Sequence, residues 1–136
     1  MLANPIWWTV AWQRRLPDSV GMRDLDELKE RLRAFVAERD WDQFHSPKNL
    51  SMALAVEAAE LVELFQWLTE EESATPDADR RRRAAEELAD VLVYLVRIAD
   101  RLDIDLLQAA GEKLKQNAVK YPVERVRGRA RKYDEY

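Results

Sequence analysis

The sequence predicts an all-α protein built around a four-helix bundle. Three observations carry this expectation. Apolar residues recur at helical spacing over long stretches, helix-start signals precede those stretches, and the 136 residues include only 3 Gly. A chain that is 47% hydrophobic and 35% charged has the makeup of long amphipathic helices rather than of turn-rich sheet. Its length is that of one ordinary domain able to bury a core.

The first helix starts at Asp24, which stands three residues before Glu27 in capping-box spacing. Leu25, Leu28, Leu32, Phe35 and Val36 then recur at helical intervals, to about Asp40. The stretch WDQFHSPKN breaks that pattern, and Ser46 before Pro47 is a good cap for a second helix running to about Leu68. Thr75 and Pro76 repeat the signal after the acidic loop TEEESA, and apolar periodicity continues to Leu102 as a third helix. Asp103 or Asp105 caps a fourth, whose apolar stripe includes Leu106, Leu107 and Leu114 and stops at Tyr121 and Pro122. Three segments result: residues 1–21, an N-terminal appendage; 22–122, the helical domain; and 123–136, a basic tail. The appendage lacks helical period and holds three of the 5 Trp, and Met22, just before a capped helix, is an alternative native start.

Several function classes are disfavoured by composition. With no Cys there is neither a disulfide framework nor a thiolate metal site, and a cytoplasmic location is the expectation. The net charge of -4, from interspersed charges, disfavours binding to duplex nucleic acid. The apolar run PIWWTVAW is far shorter than the roughly 20 residues a bilayer needs, and Gln13, Arg14 and Arg15 follow it, so no membrane span is expected.

The chemistry lies in the acids. Along the helix that contains EAAELVELFQW, residues 57–67, Leu50, Leu54, Ala58, Leu61, Leu64, Phe65 and Leu68 form one apolar face at about 100° per residue. Glu57 falls inside that face, Glu60 at its edge, and Glu63 further toward the polar side. A carboxylate placed there must be protonated, paired with a cation or bound to a metal. The third helix repeats the arrangement in EELADVLVY, where Glu87 and Asp90 share a face with Arg83 and Tyr94 beside a strongly apolar stripe. If the two helices pack antiparallel, Glu57, Glu60, Glu87 and Asp90 converge. Hard oxygen donors without Cys, and with a single His, favour Mg²⁺ or Mn²⁺ over Zn²⁺. Magnesium commonly bridges to phosphates, so a nucleotide or another polyphosphate is the expected substrate. A solvated helix surface is the plainer reading of any single Glu-x-x-Glu pair.

With AERDWDQFHSPKNLSMALAVEAAELVELFQWL, EELADVLVYLVRIADRLDIDL and EKLKQNAVKYP, the chain from about Leu25 to Pro122 resembles the all-α nucleoside triphosphate pyrophosphatases of the MazG type. It is most similar to their dCTP pyrophosphatase branch. The resemblance implies a MazG-like bundle assembled as a dimer or tetramer. It implies hydrolysis between the α- and β-phosphates, with Glu57, Glu60, Glu87 and Asp90 holding Mg²⁺ and Glu63 serving as an outer ligand or base. Lys113, Asn117 and Lys120, on one helix face, then match the phosphate-binding set, with Tyr121 beside them. Trp41, His45 and Trp67 match base-pocket positions, and Tyr94 the residue beneath the sugar. Each also has a structural reading, as core aromatics or as a loop-stabilising histidine. Leu32 departs from the pattern, standing where some relatives carry a polar residue.

The expected function is therefore Mg²⁺-dependent cleavage of dCTP or modified pyrimidine deoxynucleotides, a house-cleaning activity, in a homo-oligomer that the resemblance implies is a tetramer. Alternatives are dUTP or oxidised-purine substrates, or a helical oligomerisation or regulatory module whose acids pair with the run Arg80 to Arg83.

Overall fold

A computed structural model of the chain describes residues 21–135. The expected appendage, residues 1–21, lies outside them apart from Gly21. All regular structure among the described residues is helical: α1 (Leu25–Ala37), α2 (Pro47–Glu63), α3 (Glu70–Ala74), α4 (Ala78–Arg101), α5 (Leu106–Lys120) and α6 (Val123–Val126). Short 3₁₀ turns at Asp42–Phe44 and Tyr133–Glu135 complete it. No helix among the described residues is long and apolar enough to cross a membrane.

Each long helix begins where a side chain satisfies an otherwise unpaired backbone N–H. The Glu27 amide donates to Asp24 at 2.8 Å, that of Asn49 to Ser46 at 3.1 Å, and that of Gln108 to Asp105 at 2.9 Å. Three boundaries differ from the sequence expectation. α1 closes at Ala37 rather than Asp40, because Asp40 takes a left-handed φ of 51°. α2 closes at Glu63 rather than Leu68, because the amides of Leu64, Phe65 and Leu68 turn to carbonyls three residues back. The expected acidic loop is itself a helical turn, α3, opened by a reciprocal capping box between Thr69 and Glu72. Thr75 ends that turn, so Asp77, accepting from the Arg80 amide at 2.8 Å, caps α4 in its place.

The chain divides into two compact units, one closing at Leu102 and the other beginning at Asp103. In the first, α4 is the common partner of α1 and α2. Leu32, Phe35 and Val36 of α1, Leu50 of α2, and Tyr94, Val96 and Ala99 of α4 are buried, with Leu64 beyond the end of α2. The direction of α2 against α4 follows from two sets of neighbours. His45, just before α2, meets Arg97 late in α4, whereas Glu57 meets Glu87 and Asp90 earlier in it. The helices are antiparallel. The second unit holds α5, α6 and the final turn.

Candidate active site

Antiparallel packing gathers acids from two helices into one place. One carboxylate oxygen each of Glu57, Glu87 and Asp90 lies within 4.8 Å of the others. Glu57 is buried at 1% exposure, as its place inside the apolar stripe of α2 requires, while Glu87 and Asp90 are half-buried. Burial pushes the Glu57 carboxyl up to about 7, with further push from Asp90, Glu60 and Glu87. Burial likewise raises Glu87, reinforced by Glu60 and Asp90, and raises Asp90, reinforced by Glu60 and Glu86. Glu60 stands outside the tightest group yet acts electrostatically on all three of its members.

None of the described ion pairs includes Glu57, Glu60, Glu87 or Asp90. In the run Arg80 to Arg83, Arg82 bridges Asp79 and Glu86 at 2.8 and 2.7 Å, so the described ion pairs of the run lie elsewhere. The donor set therefore fits a hard divalent cation. Adjacent oxygens around six-coordinate Mg²⁺ are about 3 Å apart and opposite ones about 4.2 Å, given ligand distances near 2.1 Å. The three carboxylate oxygens, within 4.8 Å of one another, lie close to that span.

The remaining sequence candidates fall in several places. Glu63 is exposed at the end of α2, outside the three-carboxylate group. Trp67, in the turn beyond α2, is 87% exposed, which sets aside the core reading for it. Trp41 is half-buried and packs edge-on against Phe35, ring centres 5.9 Å apart. Tyr94 is buried one turn beyond Asp90, and Leu32 is buried in α1. In the second unit, Lys113 and Lys120 are exposed on α5, Asn117 is half-buried between them in sequence, and Tyr121 caps the helix end.

His45 is 2% exposed and sits against Arg97, its ring centre 6.5 Å from that of Trp41. Burial and the Arg97 charge lower its pKa to about 4, so the imidazole is neutral near pH 7. Sequence reasoning missed Arg97 altogether. Arg97 is buried, and donates also to Asp100 at 2.9 Å and to Asp42. The signal was present: Arg97 follows Asp90 and Tyr94 by seven and three residues, on the same face of α4, within an otherwise apolar stretch.

A family model described as MazG-like matches residues 52–136, which include both acidic pairs. The chain belongs to the MazG-like family. Proteins named dCTP pyrophosphatase 1 match it over most of its length. The bovine one is 48% identical over 111 residues, covering 80% of this chain and 66% of its own, and the human one is 46% identical over 113 residues, covering 82% and 66%. The chain thus spans slightly less than two thirds of these curated relatives. Among solved structures, a pyrophosphatase from Archaeoglobus fulgidus superposes with a TM-score of 0.70 at 35% identity, covering 79% of this chain and 99% of that one.

Proposed function

We propose that this MazG-like chain is a nucleoside triphosphate pyrophosphohydrolase that takes dCTP or a modified pyrimidine deoxynucleotide and releases the monophosphate and pyrophosphate. The observation that carries the reading is the meeting of Glu57, Glu87 and Asp90, without a described basic partner, on two antiparallel helices. The names of the relatives support the substrate class.

Glu57, Glu60, Glu87 and Asp90 would hold Mg²⁺, and Mn²⁺ suits the same oxygens. When bound, the cation would neutralise charge on the phosphates and acidify an attacking water. Water oxygen attacks the α-phosphorus, the bond to the bridging oxygen of the β-phosphate breaks, and pyrophosphate leaves. Glu63 accepts the proton lost by the water. Lys113, Asn117 and Lys120 bind the phosphates, with Tyr121 at the end of their helix. Trp41, His45 and Trp67 form the base pocket, where the exposed ring of Trp67 supplies a stacking surface. Tyr94 packs beneath the sugar and crowds its 2′ position.

The chain works as a homo-oligomer, a tetramer, in the cytoplasm, clearing unwanted nucleotides from the pool. Association between copies is supported by the apolar surface left exposed on α2, by Met52 and Val56, and on α4, by Leu88, Leu92 and Leu95.

The test is pyrophosphate release, with and without Mg²⁺, across deoxy- and ribonucleoside triphosphates and their methylated and oxidised forms. Preference for dCTP or its 5-substituted forms is expected. Preference for dUTP or an oxidised purine would keep the chemistry and change the pocket, and no release from any substrate would end the enzyme reading. Asp90→Ala and Glu60→Ala should each lower kcat by at least about 100-fold if they hold metal at the reacting centre.

A further inference from the structure

Arg97 is 5% exposed on α4 and holds three partners, two in the turn before α2 and one three residues further along α4. Its Nε donates to His45 Nδ1 at 3.3 Å, its Nη1 to Asp100 at 2.9 Å, and its Nη2 to Asp42. Arginine stays protonated in proteins, so its Nε–H donates and His45 Nδ1 must be the acceptor. A neutral imidazole that accepts at Nδ1 carries its proton on Nε2.

Charge balance alone does not call for this arrangement. Asp100 is already gripped by Arg33 of α1 at 2.5 Å, and Asp42, largely exposed, also has Arg101 at 3.7 Å. What Arg97 adds is geometry: a planar fork that ties both ends of the turn Asp42–His45 to one point on α4. The same turn is braced on its other side, where Trp41 packs edge-on against Phe35 of α1. Ser46, the cap of α2, follows directly, so the turn also sets where α2 begins.

We infer that Arg97 is a positioning residue for nucleotide recognition, holding His45 as its Nε2–H tautomer and fixing the turn that carries Trp41 and His45. Recognition by that turn rests on the function proposed above, whereas the tautomer lock does not.

His45 is the sole histidine, so nitrogen-detected correlation spectra of the ¹⁵N-labelled full chain report its tautomer without ambiguity. The wild type should show a protonated Nε2 and an accepting Nδ1 at neutral pH. In Arg97→Lys the ammonium keeps the charge but not the fork, so the two tautomers should mix. Affinity for a non-hydrolysable α,β-imido analogue of dCTP, read by calorimetry, should fall roughly tenfold, and KM should rise with kcat held within about twofold. Arg97→Gln, which removes the charge as well, should go further in both readouts. A wild-type proton on Nδ1, or an Arg97→Lys protein with unchanged tautomer, overturns the lock. A changed tautomer with unchanged affinity, or a loss confined to kcat, overturns the role in recognition. Wild-type protein that neither binds nor cleaves any nucleotide defeats the proposed function, and the spectra still decide the lock.

Discussion

Two buried titratable side chains, Glu57 and His45, make opposite demands on the folded chain as pH changes. The Glu57 carboxyl sits at about 7 instead of 4.5, so between those values the folded state keeps a proton that the unfolded chain releases. Metal-free stability therefore falls as pH rises through that window, by at most about 3 kcal/mol from this group. His45 sits at about 4 instead of 6.5. Between those values the unfolded chain takes up a proton that the folded state excludes, so stability falls as pH drops through the window, again by at most about 3 kcal/mol. The charged groups facing the imidazole are Arg97 and Arg101, which oppose its protonation, and Asp42, which favours it. Since the slopes oppose one another from about 4.5 to 6.5, single variants separate them. Glu57→Gln should raise metal-free thermal stability above neutral pH and steepen its loss toward acid. A cation also competes with protons for these carboxylates, so the thermal gain on adding Mg²⁺ should grow from pH 6 to pH 8. A gain that is flat with pH, or absent, would remove Glu57 from the metal site.

At the scale of helices, the caps carry both fold and site. Ser46 accepts from Asn49 at the start of α2, so Ser46→Ala should cost about 1 kcal/mol in denaturant unfolding. An unchanged unfolding midpoint would show that Pro47 alone suffices to start the helix. Asp24, Ser46 and Asp105 were legible as caps because the side-chain chemistry of a helix start is local, written within three residues. The ends of α1 and α2 were less legible. The positive φ of Asp40 and the tightening after Leu61 depend on how the chain turns away from its neighbours, and apolar spacing carries no mark of either. The burial of Glu57 followed from its wheel position, and its meeting with Glu87 and Asp90 from the antiparallel pairing of the helices. Arg97 was harder to see: its partners lie up to 55 residues away, and long-range polar partners leave no periodicity. The face it occupies could be read from sequence, but not what waited opposite.

Across the whole molecule, the arrangement of apolar side chains bears on assembly. On α4, Leu88, Leu92 and Leu95 lie within one narrow stripe, four and three residues apart, and all three are exposed. Glu87, Asp90, Tyr94 and Arg97 occupy another stripe of the same helix, the one turned toward the acids and the turn before α2. α2 repeats the division, with Glu57 buried and Met52 and Val56 exposed. A helix pair that buries Leu50, Val96 and Ala99 beside its polar groups and still leaves Leu88, Leu92 and Leu95 exposed carries a second apolar stripe, which calls for another apolar surface. A second copy offers an equal stripe, and a stable pairing of copies buries about 800 Å² per partner. Leu92→Glu then places a charge in the contact, without a cavity in the core of one chain. Light scattering should show wild-type chain as an oligomer and the Leu92→Glu chain as a smaller species, with activity falling alongside mass if the sites depend on assembly. A monomeric, fully active wild type would overturn the assembly, and would leave the exposed leucines of α4 to serve some other surface.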